Sequence, residues 1–539
     1  MNGDNVRRAK EAIDAIRDGS MGLRLVQGGR KGLSRLLFSR TALIAALILG
    51  QLLIFVALYS WFRDSFPYYT AFETAFTVGM VLYLCSNDMD STAKLTWMAL
   101  IALFPLPGAA FLLFTQAETG HRGLRRRYDQ LTEETRESLS QNPETLEKLE
   151  AARGGVEDLH RYINRTGCFP LYENPVVQYF PTGEEKFASM LQELQTAEKF
   201  IFLEYFIVKE GEMWGRILEI LAEKAAQGVD VRVMYDGTCE ISLLPHDYPE
   251  RLKKLGIQCR IFSPLRPFVS TYFNYRDHRK ILVIDGKTAY TGGVNLGDEY
   301  INRASRFGHW KDAAILVRGG AVRSFTRMFL QMWHLPELDT TEDLSPFLDA
   351  PASPDEGEGC ILPYGDCPLD PDKVGERVYM DILNRATDYV HIMTPYLILD
   401  GELETALRYA AERGVDVELI LPGIPDKKSA YSLAKTHYSA LIRSGVKIFE
   451  YTPGFVHSKV VVSDGERGVV GTVNFDYRSL YHHFECAAYL YRTPCLRDME
   501  TDFLATRNLC RAVTPQTIRR EKLYYKVLGR VLKLFAPLM

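Results

Sequence analysis

A chain of 539 residues, 47% of them hydrophobic, has length for three or four domain-sized units and an ample core. With 64 basic against 68 acidic residues the net charge is −4, which excludes a broadly basic nucleic-acid binder and confines any cationic surface to a local patch. The nine cysteines include no C-x-x-C and no Cys/His spacing of a zinc site, which argues against a disulfide framework and against structural zinc.

In chain order, residues 1–40 are a basic segment. Residues 41–62, TALIAALILGQLLIFVALYSWF, carry no charge over 22 positions. At about 1.5 Å per residue they can cross a bilayer core of about 30 Å. The run is too long for a cleaved signal peptide and begins only after residue 40. Residues 95–114, LTWMALIALFPLPGAAFLLF, read as a second span kinked at Pro105 and Pro107. Between them, residues 68–85 hold Glu73 and read as a weaker third span or a re-entrant hairpin. Arg24, Arg30, Lys31, Arg35 and Arg40 precede the first span, and Arg122, Arg125, Arg126 and Arg127 follow the last. The positive-inside rule places both flanks in the cytoplasm, which two spans satisfy and three do not. Residues 41–115 are thus expected to be transmembrane and 116–170 a helical connector.

From about residue 170 short apolar runs alternate with amphipathic stretches. KFIFLEYFIV (199–208) and VDVRVMYDG (229–237) are predicted strands around a helix at 213–227. LKKLGIQCRIF (252–262) leaves a helix at Gly256 for another strand, and HRKILVIDG follows. The order then repeats. YVHIMTPYLI (389–398) is a strand, ELETALRYAAERG (402–414) a helix and VDVELILPG (415–423) a strand. LIRSGVKIFEY (441–451) runs helix, glycine, strand before VHSKVVVSDG. This alternation predicts the α/β class, as two pseudo-symmetric α/β/α lobes at 171–340 and 376–515. The Pro-, Asp-, Glu- and Gly-rich stretch 341–375 is the expected linker. Residues 516–539 are read as a basic amphipathic helix, docked on the second lobe or lying at a headgroup boundary.

The repeat places His278-x-Lys280-x4-Asp285 against His457-x-Lys459-x4-Asp464. Each is followed by a small residue and an asparagine, Asn295 and Asn474. In a strand, residues i and i+2 share a face, so each His and Lys project together. Two imidazoles, two ammoniums and two amides suit a phosphodiester. One His attacks phosphorus while the other shuttles the proton of the leaving and entering hydroxyls. The lysines and asparagines stabilise the equatorial oxygens, so neither a metal nor a cofactor is called for. A downstream carboxylate should fix each imidazole, and Asp312 and Glu485 are the candidates because both sit on apolar runs. Asp285 and Asp464 precede Gly in D-G turns and are expected to brace the site rather than react.

At these residues the chain resembles the phospholipase D superfamily, whose signature H-x-K-x4-D with a following G-x-N is carried twice. FLEYFIV, YRDHRKILVIDGKTAYTGGVNLGDEY, GFVHSKVVVSDG, GTVNFDYRSLYHHFE and the terminal KLFAPLM are similar to blocks of the bacterial cardiolipin synthases. The resemblance covers roughly residues 68–539, and residues 1–65 are an addition to the commoner two-span plan. It implies phosphatidyl transfer between two phosphatidylglycerols, giving cardiolipin and glycerol, at an anionic bacterial plasma membrane. The catalytic part would lie on the cytoplasmic face, without nucleic acid. His278 would be the nucleophile and His457 the acid/base. Lys280, Lys459, Asn295 and Asn474 would hold the phosphate, and Tyr205 and Tyr396 would line the lipid entrance. A hydrolytic phospholipase D, a phosphatidylserine synthase and a membrane-anchored nuclease use the same chemistry and remain as alternatives.

Overall fold

The computed structural model describes residues 68–538 apart from 117–120, 153, 265–274 and 338–341, and four positions before them, Leu53, Ala57, Ser60 and Trp61. The expected span 41–62 therefore lies almost wholly outside the described residues. Among the described residues no helix is long and apolar enough to cross a membrane. The run 95–114, expected to be one kinked span, is instead two helices, Ser91–Leu103 and Pro105–Gln116. The break falls at Phe104, which precedes proline and adopts φ −138°, ψ 78°. Proline disfavours the helical conformation in the residue before it and supplies no N–H of its own. The two helices fold back on each other. The rings of Trp97 and Phe111 lie 5.4 Å apart. Gly108 approaches so closely that a Cβ would sit 2.9 Å from the Leu100 carbonyl oxygen. The helix Tyr69–Ser86 joins them through a small core of Leu84, Trp97, Ile101, Ala109 and Leu112. Three further helices, His121–Glu134, Pro143–Ala152 and Val156–Gly167, make the connector.

Two sheets carry the rest. In the first, seven strands lie in the order Val176–Phe180, Ala314–Arg318, Thr288–Gly292, Lys280–Ile284, Phe200–Tyr205, Asp230–Asp236, Gln258–Phe262. In the second, the order Cys360–Asp366, His483–Tyr491, Arg467–Gly471, Val460–Ser463, Tyr389–Met393, Asp416–Pro422, Lys447–Tyr451 repeats it. In each set the last three strands run parallel and the other neighbours antiparallel. Phe200–Tyr205 and Lys280–Ile284 are buried throughout, as central strands covered on both faces must be. The duplication is thus a property of topology as well as of sequence.

Two boundaries differ from expectation. Cys360–Asp366 lies inside the stretch read as linker, yet all seven of its residues are buried in the second sheet. Pro363 and Gly365 disguise it. The C-terminal segment is not one helix but two, Pro515–Arg520 and Leu523–Lys533. They part at Glu521, whose extended backbone accompanies an ion pair of its carboxylate with Lys435.

The motif aspartates close each lobe's central turn. Asp285 and Asp464 take φ of 53° and 54° before glycine. Asp285 accepts the backbone N–H groups of Glu198, Lys199 and Phe200 at 2.8, 2.7 and 2.9 Å. Asp464 accepts those of Thr387, Asp388 and Tyr389 at 2.8, 3.0 and 2.8 Å. Each thereby anchors the start of the neighbouring central strand. Asp285→Ala and Asp464→Ala should each lower stability by about 3 kcal/mol, because three backbone donors lose their side-chain acceptor. Chemical denaturation of the full chain in micelles measures this. The folded fraction should keep its turnover within about threefold; unchanged stability with lost turnover would place these carboxylates in the chemistry.

Candidate active site

Each His-x-Lys strand is entered through a short segment that leaves its own lobe. Arg276–Asp277 pairs in parallel with His483–Phe484 of the second lobe, and the His278 N–H donates to the Phe484 carbonyl at 2.9 Å. In mirror fashion Gly454–Val456 pairs with His309–Lys311 of the first lobe, and the His457 N–H donates to the Lys311 carbonyl at 2.7 Å. The residue after each acceptor is the predicted carboxylate. The two therefore cross over. His278 Nδ1 lies 2.9 and 3.0 Å from the Glu485 oxygens, and His457 Nδ1 lies 2.8 Å from Asp312 Oδ2. Each imidazole is oriented by the carboxylate of the opposite lobe. Both rings are buried, at 6% and 7% exposure. With Nδ1 facing a carboxylate, Nε2 of each is left for chemistry.

The lysines stand beside them. Lys280 Nζ donates to the His278 carbonyl at 2.6 Å and Lys459 Nζ to the His457 carbonyl at 2.5 Å. Burial lowers Lys280 to about 8 and Lys459 to about 7. Burial, reinforced by Lys280 and His483, holds His278 well below the ordinary imidazole range. Burial and Lys459 bring His457 to about 4 against the pull of Asp312. In the free site both imidazoles are therefore neutral.

The two carboxylates are not equivalent. Burial works to raise Asp312, but His457 and Lys459 outweigh it and hold the carboxyl below its ordinary value. Asp312 Oδ1 also accepts the Ala313 N–H at 2.8 Å, and Trp310 Nε1 approaches Oδ2 at 3.4 Å. Gly293 makes room for it, since a Cβ there would lie 2.0 Å from Asp312 Oδ1. The matching position in the second lobe is Thr472, whose hydroxyl donates to Glu485. Burial pushes Glu485 well up, with Lys280 and Thr472 opposing.

Asn295 Oδ1 accepts the Ile207 N–H at 3.1 Å and its Nδ2 donates to the Tyr300 hydroxyl at 2.8 Å. Asn474 is buried with no partner for Oδ1 among the described residues. Tyr205 does not line an entrance. It is fully buried, its hydroxyl taking Lys186 Nζ at 3.2 Å, because Phe200–Tyr205 is a central strand. Tyr396 is half-buried, donates to Asp426 at 2.6 Å and stands 6.4 Å from Phe455.

Sequence reasoning missed His483. Its Nδ1 lies 3.3 Å from Glu485, its Nε2 accepts from Arg478 Nε at 3.2 Å, and its ring is 5.2 Å from that of His278. The clue was its place two residues before Glu485, on the same strand face. Ligand atoms of His278, His483 and Glu485 lie within 4.8 Å of one another, a grouping that linear spacing did not reveal. The Nδ1 atoms of both histidines already face Glu485, and the Lys280 ammonium beside them opposes a further cation. Trp310 and Tyr300 also escaped notice, with rings 5.2 and 5.5 Å from His457.

This site is that of a phospholipase D-like phosphotransferase: two imidazoles, two ammoniums and reciprocal carboxylates at the seam of duplicated lobes. The family described as cardiolipin synthase, PLD-like domain, matches residues 190–333 and 379–507. A cardiolipin synthase of Alkalihalophilus pseudofirmus is 32% identical over 499 residues, covering 90% of this chain and 98% of its own. A Streptococcus mutans protein described as uncharacterized is 52% identical over 462 residues, 86% of this chain and 100% of that one. The solved phosphatidylserine synthase of Haemophilus influenzae has the same fold, with a TM-score of 0.55 at 15% identity over 72% of this chain and 100% of that one. The chain belongs to the cardiolipin synthase family of phospholipase D-like phosphatidyltransferases.

The lysine values set a pH limit. A lysine lowered to about 7 or 8 is charged below that pH and loses its charge as pH rises through it. Since kcat/KM reports the free enzyme, it should fall between about pH 7 and 8.5. Lys459→Arg, where it folds, should move that limb upward. A profile flat to pH 9 would show that neither ammonium titrates there.

Proposed function

We propose that the chain joins two phosphatidylglycerol molecules into cardiolipin, releasing glycerol, through a phosphatidyl-histidine. The observation that carries this reading is the cross-lobe pairing, which holds two imidazoles by Nδ1 and leaves both Nε2 atoms free among the described residues, in a site with two buried lysines. His278 Nε2 attacks phosphorus, and the bond from phosphorus to the glycerol oxygen breaks as His457 Nε2–H protonates it. The glycerol hydroxyl of a second phosphatidylglycerol then gives its proton to His457 and attacks phosphorus, breaking the P–N bond. Lys280 and Lys459 offset the equatorial oxygens throughout. The roles follow from the unequal carboxylates. Asp312, held in its anionic form, supports an imidazolium at His457 once a phosphate anion offsets the lysines. His278, held well below the ordinary imidazole range by burial and Lys280, stays neutral and nucleophilic.

The catalytic lobes are placed at the cytoplasmic face of a bacterial plasma membrane, held by the N-terminal apolar segments. Support comes from the uncharged run 41–62, the arginines flanking it, and the apolar side chains that the helices of 69–116 expose, among them Phe72, Leu82, Leu95 and Leu103. A lipid-anchored site favours a lipid acceptor over water, because both substrates then remain in the bilayer.

Full-length protein in micelles with phosphatidylglycerol should yield glycerol and cardiolipin in equal amounts. Phosphatidic acid as the main product would instead mean hydrolysis. His278→Ala and His457→Ala should each reduce kcat by roughly 10⁴-fold, with the double variant little worse. Alkali-stable, acid-labile phosphatidyl label should accumulate when His457 is replaced and vanish when His278 is. The opposite pattern would exchange the two roles.

A further inference from the structure

The last helix, Leu523–Lys533, has two apolar faces rather than one. Its inner face is seated on the helix Lys428–Arg443. Gly529 lies against the backbone there, where a Cβ would come within 2.3 Å of the Ser432 carbonyl oxygen. Tyr525 meets Tyr431 at 5.4 Å, edge to face, and Lys533 Nζ lies 3.9 Å from Glu404. This docking accounts for the helix without any partner. It leaves unexplained the opposite stripe, where Leu523, Tyr524, Val527, Val531 and Leu534 are 74, 60, 52, 54 and 40% exposed.

Two features say what covers that stripe. Residues 522–539 contain Lys522, Lys526, Arg530 and Lys533 and no acidic residue, so the surface around the stripe is cationic. The stripe also continues into the helical hairpin. Thr96 Oγ1 donates to the Leu534 carbonyl at 2.8 Å, and beside it Leu95 and Leu103 are 64 and 65% exposed. A cationic apolar ridge continuous with the hairpin fits a surface that is apolar at depth and anionic at its edge.

We infer that the helix Leu523–Lys533 is an interfacial anchor, its stripe inserted at the headgroup boundary of an anionic bilayer while its inner face is bolted to the second lobe. The lobe is thereby held in one orientation. The helix Lys428–Arg443 that carries the anchor begins just after Asp426, the partner of Tyr396 on the His457 side of the site. Only the choice of anionic lipid rests on the phosphatidylglycerol reading of the catalytic site.

The test uses the full chain with photoreactive benzoylphenylalanine at Val527 or Val531, and at exposed Glu219 on the first lobe as the control. The protein is reconstituted in bilayers of phosphatidylglycerol and phosphatidylcholine, irradiated and digested. Lipid adducts at 527 and 531 should exceed those at 219 at least tenfold. They should fall severalfold when Lys522, Lys526 and Arg530 are all replaced by Gln, or when phosphatidylglycerol is omitted. Crosslinks to peptides from residues 1–67, crosslinks to a second copy, or adducts no more frequent than at 219 would overturn the anchor. Adducts insensitive to charge would overturn its anionic preference. Turnover of the same variants in micelles reports separately on the reaction, so failure of the anchor and failure of the catalytic reading are distinguishable.

Discussion

The backbone hydrogen bonds from His278 to Phe484 and from His457 to Lys311 fix where the two lobes meet, and the catalytic geometry follows from them. Each bond continues a short parallel pairing between the segment before one motif and the strand that carries the other lobe's carboxylate. Neither lobe alone orients the imidazole of its own His-x-Lys motif. Glu485 and Asp312 are both fully buried, and an isolated ionised carboxylate at such depth would cost several kcal/mol. Docking the lobes supplies each carboxylate with the imidazole it needs and each imidazole with its tautomer. Folding of the seam and assembly of the site are therefore one event.

That arrangement sets the electrostatics. Two lysines and three histidines face two carboxylates in a space where burial works against every charge, and each ammonium further depresses its neighbours. The free site is poised for an anion: its lysines are weakened bases, its imidazoles are neutral and Asp312 is held below its ordinary carboxyl value. Lys280 depresses Lys459, and a bound anion would offset both charges. Preorganised donors of this kind act on charge as it develops, without reorganising. Thr472 stands where the first lobe has Gly293, and this breaks the pseudo-symmetry at the carboxylates.

Much of this was legible in the sequence because the chemistry is duplicated. His278, Lys280, His457 and Lys459 stood out because a charged pair entering a buried strand is costly, and its recurrence cannot be incidental. Asp312 and Glu485 were legible as carboxylates on apolar runs, but their partners were not. The pairs are separated by 207 and 145 residues, and spacing carries no information about which lobe faces which. His483 was hidden for the same reason, since its neighbours come from both lobes. The strand Cys360–Asp366 was masked by Pro363 and Gly365, residues that mark turns in isolation but are tolerated where the second sheet buries them. Hydropathy over 95–114 registered apolar content and missed the reversal at Phe104, which depends on backbone sterics before proline.

The reciprocal orientation of the imidazoles is open to direct observation. In full-length protein carrying ¹⁵N-histidine in micelles, assigned through single histidine substitutions, the ring nitrogen shifts report tautomer and hydrogen bonding. Asp312→Asn should move the signals of His457 and leave those of His278 in place, and Glu485→Gln should do the reverse. If Asp312→Asn disturbs His278 while His457 is unmoved, each lobe orients its own histidine and the two lobes do not exchange carboxylates.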